Sequence, residues 1–209
     1  MQNMKKQTIY LIIVAVLIIS FGIYFVLVNP SIFSENTQDQ PEEEGVANQP
    51  DNATEEEKSK LVTDDFEMVI PSGWESQAAP EGILALAVNS KEVIDDSSAA
   101  ALGFKSYIAV TYSELGEKSR EDYVSFVKEE ISGVSESLTI NTEREIKING
   151  KDAHIIDMSL AQQGVNFRVL IFVVWNEDQI WAVSFNTIEN KWQEYEDVFL
   201  NSAESFVLK

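Results

Sequence analysis

The sequence predicts an α+β domain, an antiparallel β-sheet of about six or seven strands sandwiched between helices, preceded by one transmembrane helix. Three features support this prediction. Residues 9–28 form a long apolar run near the N-terminus. Asn149-Gly150 lies between two strand-like runs, as in a two-residue β-hairpin. In 165–175, apolar residues occupy both alternating sets of positions from Val169 onward, which is typical of a strand covered on both faces.

The N-terminal apolar run has the length of a membrane-spanning helix. At ~1.5 Å rise per residue, 9–28 spans ~30 Å, which is the thickness of the hydrocarbon core of a bilayer. Lys5 and Lys6 precede the run, whereas the first charges that follow it are acidic. The positive-inside rule therefore keeps residues 1–8 in the cytoplasm and places the rest of the chain outside. The alternative is a cleaved secretory signal with its cleavage site within 31–34.

An acidic linker is predicted to follow over residues 29–61. The segment is rich in Asn, Gln, Pro, Glu and Asp, with glutamate runs at 42–44 and 55–57. With almost no aliphatic residues, it cannot bury enough apolar surface to offset the entropy lost on ordering. As a flexible coil it would span ~30 Å. A single globular domain is predicted over 62–209, where all four tryptophans occur.

Short strands open the predicted domain. Residues 66–70, 83–88 and 106–113 concentrate β-branched and aromatic side chains. The intervening segment 91–103 is small and acidic, which favours a loop.

Two amphipathic helices are predicted, one within the sheet sequence and one after it. The first begins after Ser119, a good N-cap, with Glu121 and Asp122 near the positive end of the helix dipole. Its apolar residues recur at helical spacing: Tyr123, Phe126, Val127, Ile131 and Val134. The closing helix is predicted to begin at the N-cap Asn190. Its apolar residues are Trp192, Tyr195, Phe199, Ala203 and Phe206.

The remaining strands lie between these helices. Runs 138–148 and 152–162 flank the predicted hairpin turn, and 165–175 follows as the strand buried on both faces. Across 180–188 the residues alternate, with Trp181, Val183 and Phe185 on one side.

Composition excludes several classes of function. The chain carries 35 acidic and 15 basic side chains, a net charge of −20, so it lacks the cationic surface that nucleic acid requires. It has no cysteine, which excludes disulfides, thiolate metal sites, a cysteine nucleophile and lipid modification of a cysteine. Binding to anionic lipid is disfavoured by the net charge of 62–209.

Three packing motifs resemble one known family. They are Phe66-x-x-x-Ile70-Pro71-x-Gly73-Trp74, Trp181-x-Val183-x-Phe185 and Trp192-x-x-Tyr195-x-x-x-Phe199-x-x-Ser202-x-x-Ser205-Phe206. Together they resemble the PsbP-like (Mog/PsbP) domain over essentially all of 62–209. The resemblance implies an antiparallel sheet between helices and a non-catalytic accessory role, as in PsbP at photosystem II or the Mog branch, which binds a small GTPase. This chain departs from that family by its anchor and acidic linker.

Candidate reactive groups are few. His154 is the only histidine, and Asp152 lies two residues before it on the same strand face, so both could touch one ion. A catalytic metal usually needs about three protein ligands, and a surface or hydrogen-bonded histidine is the other interpretation. No G-x-S-x-G or phosphate-binding glycine motif occurs. The sequence therefore assigns no catalytic, cofactor-binding or metal residue, and no cofactor.

The tryptophans allow two interpretations. At alternating or helical positions, Trp74, Trp175, Trp181 and Trp192 favour the core. The alternative is that they line an apolar ligand pocket.

The functional prediction is a membrane-anchored extracytoplasmic module of the cell envelope that is not an enzyme. Its expected partners are the lipid bilayer, through residues 9–28, and a protein at the outer face of the membrane, with no nucleic acid. The alternative is a membrane-tethered domain that binds a small ligand or a divalent metal.

Overall fold

The computed structural model describes residues 59–209. The predicted cytoplasmic segment 1–8, the transmembrane helix 9–28 and nearly all of the linker 29–61 lie outside the described residues. Within the part of the chain that is described, no helix combines the length and the apolarity needed to cross a membrane.

Ten strands and three α-helices make up the described domain. The strands are β1 (Lys60–Val62), β2 (Phe66–Val69), β3 (Glu75–Gln77), β4 (Ala85–Val88), β5 (Tyr107–Glu114), β6 (Ser137–Ile148), β7 (Lys151–Gln162), β8 (Val165–Asn176), β9 (Gln179–Ile188) and β10 (Val207–Leu208). The helices are α1 (Ser97–Ala101), α2 (Arg120–Val134) and α3 (Trp192–Glu204), and a 3₁₀ turn, Glu189–Lys191, precedes α3.

Seven strands form one sheet in the order β3-β4-β5-β9-β8-β7-β6. Every neighbouring pair is antiparallel. The predicted antiparallel sheet is therefore confirmed, at seven strands. A second sheet, β1-β2-β10, joins the first and last strands of the domain through β2 and was not predicted.

Both faces of the large sheet are covered, so the predicted sandwich is confirmed. On one side, which we call the α2 face, the sheet packs against α2 and the segment 94–104, which contains α1. On the other side, the α3 face, it packs against α3 and the small sheet. The helix side chains that enter these layers are Tyr123, Val124, Val127 and Ile131 from α2, and Trp192, Tyr195, Phe199 and Ala203 from α3.

Strand β8 is buried on both sides, as its sequence predicted, with every residue from Val169 to Trp175 buried. Strand β9 is also buried throughout 180–188, although its sequence alternates. The alternation there does not separate buried from exposed positions. It separates large apolar residues on the α3 face from a mixture of small, polar and apolar residues on the α2 face. Ser184 and Asn186 fit between layers because their bonds to neighbouring polar groups offset part of their desolvation.

The predicted hairpin forms between β6 and β7. Asn149 and Gly150 have φ angles of 47° and 80°, and two successive positive φ values are characteristic of a type I′ turn. The Asn149 side chain also donates to the carbonyl oxygens of Glu204 and Phe206, at 3.0 and 2.7 Å. The turn is therefore tied to the end of α3.

Helix α2 begins as predicted. Ser119 Oγ accepts from the Asp122 amide at 3.1 Å, and the Asp122 carboxylate accepts from the Ser119 amide at 3.3 Å. These reciprocal bonds form a capping box, which satisfies two helix-end donors.

The closing helix differs from its prediction. Asn190 is not an N-cap, because it lies inside the 3₁₀ turn, and Lys191 precedes the α-helix without a side-chain capping bond. Phe206 lies beyond the end of α3. Its ring is still buried, 5.2 Å from the Phe66 ring, because the chain continues directly into β10, which pairs with β2.

Two segments near the start of the domain also differ in detail. The predicted loop 91–103 contains the short helix α1, which is capped by a 2.8 Å bond from the Ala99 amide to Asp96. Strand β1 begins at Lys60, and Leu61 is only 2% exposed, so the folded region starts slightly before residue 62.

Paired glycine substitutions test the turn assignment. We expect Gly150→Ala to lower the free energy of unfolding by about 1 kcal/mol, because an L-residue is strained at positive φ. Gly133→Ala, in α2 without a positive φ and with open space around its Cα, should raise it by about 0.5 kcal/mol. Urea unfolding of the two variants measures both signs. Equal effects of the two substitutions would contradict the type I′ turn.

Candidate functional site

A groove runs between α2 and strands β6 and β7 on the α2 face of the sheet. We call it the α2 groove. Its volume is about 270 Å³, and it is lined on the helix side by Arg120, Ser125 and Lys128. Its sheet side carries Glu143 and His154. The groove therefore gathers both signs of charge around the only histidine of the chain.

One ion network crosses the middle of the groove. Lys128 Nζ donates to both carboxylate oxygens of Glu143, at 3.0 and 2.9 Å. His154 Nε2 lies 3.1 Å from Glu143 Oε1. Glu143 thus binds α2 to the sheet on one side and the histidine on the other.

A second network lies at the end of the groove near the hairpin. Arg120 donates to Asp152 at 3.1 Å, and Lys147 donates to the other oxygen of Asp152 at 2.6 Å. The Arg120 guanidinium also lies 5.5 Å from the ring centre of Trp175, within cation–π range. This network fixes the first turn of α2 over the end of the sheet.

The two carboxyl groups are held in their charged form. The hydrogen bond from Lys128 lowers the pKa of Glu143, opposed by partial burial and assisted by His154. The hydrogen bonds from Lys147 and then Arg120 lower the pKa of Asp152. Both groups remain anionic at neutral pH, since cations stabilise the ionised carboxylate.

His154 and Asp152 lie on the same face, as the sequence suggested, but they have different hydrogen-bond partners. Each belongs to a different network. Within 59–209, no group of three or more His, Asp or Glu side chains is arranged to hold a metal. Ser125 lines the groove, yet no hydrogen bond among the described residues joins it to His154. Among the described side chains of the groove, no hydroxyl is therefore hydrogen-bonded to the histidine as a nucleophile is to its base.

All four tryptophans are buried, with exposures of 5–8%. Their assignment to the core is therefore confirmed. Trp74 packs edge-on against Tyr195 and Phe199, and Trp181 packs against Phe66.

A partly buried arginine cluster on the α3 face was not predicted. Arg168 makes a two-pronged ion pair with Asp157, at 2.6 and 2.7 Å, and also contacts Glu189 at 3.0 Å. Its guanidinium lies 4.6 Å from the Trp192 ring centre. The sequence did contain one sign of this cluster, the lone arginine Arg168 inside an apolar strand, because a buried charge requires a partner.

A second unpredicted cluster surrounds Glu92, which is 6% exposed. Its carboxylate accepts from the amide and hydroxyl of Ser106, at 2.6 and 2.9 Å, and from the Tyr195 hydroxyl at 2.8 Å. Burial, and then the Glu92 charge, raise the pKa of Tyr195. The sequence offered no sign of this site, because Glu92 is one of three acidic residues in the segment 91–103 and nothing distinguishes it from the other two.

Comparison with known proteins identifies the fold. No protein-family model matches the sequence, and no curated protein matches it. Among solved structures, the chain is similar to cyanobacterial PsbP (CyanoP) from Synechocystis, with a TM-score of 0.55 and 15% identity over 79% of this chain and 98% of that chain. The chain therefore has a PsbP-like fold.

Two further structures agree. LpqN, which is involved in cell envelope biogenesis of Mycobacterium tuberculosis, has a TM-score of 0.53 and 12% identity over 74% of this chain and 87% of its own. The Saccharomyces cerevisiae Ran-binding protein Mog1p has a TM-score of 0.52 and 13% identity over 72% and 95%. At these identities the likeness concerns the fold alone.

The Glu143 network predicts a pH dependence of stability. Because the native pKa of Glu143 is lowered, its carboxylate stabilises the fold above the ordinary glutamate pKa of about 4.3. That contribution is lost as the pH falls through the lowered native pKa. We expect Glu143→Gln to lower the free energy of unfolding by about 0.5–1 kcal/mol at neutral pH, with the difference shrinking as the pH falls below the ordinary glutamate pKa of about 4.3.

Denaturant unfolding from neutral to acid pH measures this difference. The control is the same substitution in a Lys128→Gln background, where most of the pH-dependent difference should disappear. A pH dependence that is unchanged in that background would show that Lys128 does not hold the Glu143 carboxylate.

Proposed function

We propose that this protein is a single-pass, membrane-anchored, extracytoplasmic module that binds another envelope protein and performs no catalysis. The apolar run 9–28 would anchor it, with residues 1–8 in the cytoplasm. The PsbP-like fold supports the proposal, because proteins of this fold include LpqN, involved in cell envelope biogenesis, and the Ran-binding Mog1p.

The observation that carries the proposal is that the charged side chains of the α2 groove are paired with one another. The two basic side chains on α2, Arg120 and Lys128, each hold a carboxylate of the sheet, and His154 is bonded to one of these carboxylates. A general base must be available to a substrate proton, whereas these groups are engaged with each other. A groove with fixed, alternating charge favours selection of a protein partner by electrostatic complementarity.

The acidic linker fits the same function. With 26 acidic and 11 basic side chains, the domain 62–209 is repelled by anionic lipid. A linker that reaches ~30 Å would let the α2 groove meet a partner above the membrane surface without contact between the domain and the bilayer.

Binding of a divalent metal has less support. The described residues offer no cluster of three ligands, and the carboxylates of Glu143 and Asp152 already face cations. A small ligand would have to enter a groove of about 270 Å³, slightly smaller than the usual pockets of about 300–1,000 Å³.

Recovery of partners from native membranes tests the groove. The full-length protein would be isolated from gently solubilised membranes and compared with a form lacking 62–209, with mass spectrometry of the bound proteins. We expect a near-stoichiometric partner only when the domain is present. Ser125→Trp, which fills the groove without removing an ion pair, should reduce its recovery about tenfold.

Ser132→Trp is the matched control. Ser132 is exposed two turns further along α2, and that substitution should leave recovery unchanged. If no partner is recovered, or if both tryptophan variants behave alike, binding through the α2 groove is wrong. The purified domain would then be screened for a bound metal or lipid.

Protease treatment of intact cells tests the topology. We expect a protease added outside the cells to remove 62–209 and to leave a protected fragment that contains 1–28, because the membrane shields it. Tags at the two ends of the chain identify the fragments, and lysed cells provide the control. Protection of the C-terminal domain in intact cells would reverse the proposed orientation.

A further inference from the structure

Strand β6 leaves a long edge of the large sheet open. It is 12 residues long, it occupies the end of the strand order and, within 59–209, it pairs with β7 alone. Most of its residues are exposed. The opposite edge strand, β3, has only three residues. A long edge strand presents unpaired amide and carbonyl groups, which are a template for another strand.

We propose that β6 pairs with β6 of a second copy of this chain, antiparallel and centred on Ile146, to form a two-fold symmetric dimer. The ladder would pair Arg144–Ile148 of the two copies, within the regular part of the strand beyond the bulge between Ile140 and Thr142. The proposal does not depend on the binding of a partner in the α2 groove, although Glu145 also lines that groove.

The charge sequence of the strand selects this register. In a two-fold antiparallel pair centred on Ile146, Glu145 of each copy faces Lys147 of the other. Centring the pair on Arg144 or Glu145 instead brings glutamates face to face, and like charges directly opposite are destabilising. Over the regular part of β6, the register on Ile146 thus places opposite charges together twice and like charges nowhere.

The positions of these side chains suit the pairing. Residues 145 and 147 point to the same face, as alternate residues of a strand do. The Lys147 side chain is 71% exposed, so its ammonium group can reach a second carboxylate while it holds Asp152. Ile146 is partly buried on the α3 face. The two-fold axis would place it opposite Ile146 of the second copy.

Local charge also distinguishes this edge from the rest of the domain. Residues 137–148 carry two acidic and two basic side chains, Glu143, Arg144, Glu145 and Lys147, and are therefore neutral. The whole domain 62–209 has 15 more acidic than basic side chains. Repulsion between exposed charges is screened beyond about 8 Å at physiological salt. Two copies can thus approach through a neutral edge with little local repulsion.

Natural sheets often protect their edges with lysines or bulges, and β6 has both features. The bulge at residue 141 ends the regular ladder on one side. The charges of β6 do not protect the edge in this way. Their signs alternate and match those of a second copy under two-fold symmetry, which favours pairing, whereas a run of charges of one sign would oppose it.

Charge reversal tests the dimer with the full-length protein in mild detergent. Sedimentation velocity over the micromolar range should show a concentration-dependent dimer for the wild type. Glu145→Lys and Lys147→Glu should each weaken it about tenfold or more, because two favourable pairs become two repulsive ones. The double variant should restore it. Glu129→Lys, exposed on α2, is the charge-matched control and should have no effect.

Cross-linking tests the register separately, since the chain has no cysteine of its own. Under mild oxidation, Ile146→Cys should form a disulfide between copies, because the two-fold axis places its side chains opposite each other. Thr142→Cys, on the same strand, should not. A monomeric wild type at all concentrations, failure of the double charge variant to restore the dimer, or cross-linking at 142 instead of 146 would each overturn the proposal.

Discussion

The fold depends on the burial of two adjacent strands on both faces. Strands β8 and β9 lie side by side in the large sheet, and nearly every side chain from Val169 onward in β8 and from Ile180 to Ile188 in β9 is inaccessible to water. A sheet with such strands cannot be stable with one open face, since each buried large apolar side chain contributes roughly 1.5–3 kcal/mol. Helix α2 must therefore cover one side, and α3 with the small sheet must cover the other.

Much of this architecture can be predicted from the sequence because the signals are local. The double-parity run in β8, the Asn149-Gly150 turn and the cap at Ser119 each depend on a few neighbouring residues, and all three are confirmed. The failures have non-local causes. Strands β1 and β10 are too short to show a period, and they exist because both pair with β2. The start of α3 is set by a 3₁₀ turn, not by the capping ability of Asn190.

The α2 groove was only partly predictable for the same reason. Alternation along β7 correctly placed His154 and Asp152 on one face. The cations that pair with Glu143 and Asp152 could not be predicted. Lys128 and Arg120 come from a helix whose position over the sheet depends on tertiary packing. The bulge in β6 has a similar effect, since one inserted residue reverses which side chains of that strand face α2. Glu143 therefore faces the groove because of this shift in register, which the composition of the strand does not reveal.

The small sheet also determines where the chain enters and leaves the domain. Val62 of β1 and Val207 of β10 both lie opposite Glu67 in β2. Two strands that flank a third are about 10 Å apart, given a spacing of about 4.8 Å between neighbours. The domain begins at Lys60, opposite Val69, and its last strand residue, Leu208, lies opposite Phe66. At about 3.4 Å per residue along β2, its two ends are therefore on one small sheet, roughly 15 Å apart. A fold with both ends on one small sheet can be inserted into a surface loop of another protein, or circularly permuted through a linker that spans this distance, with its sheet order intact.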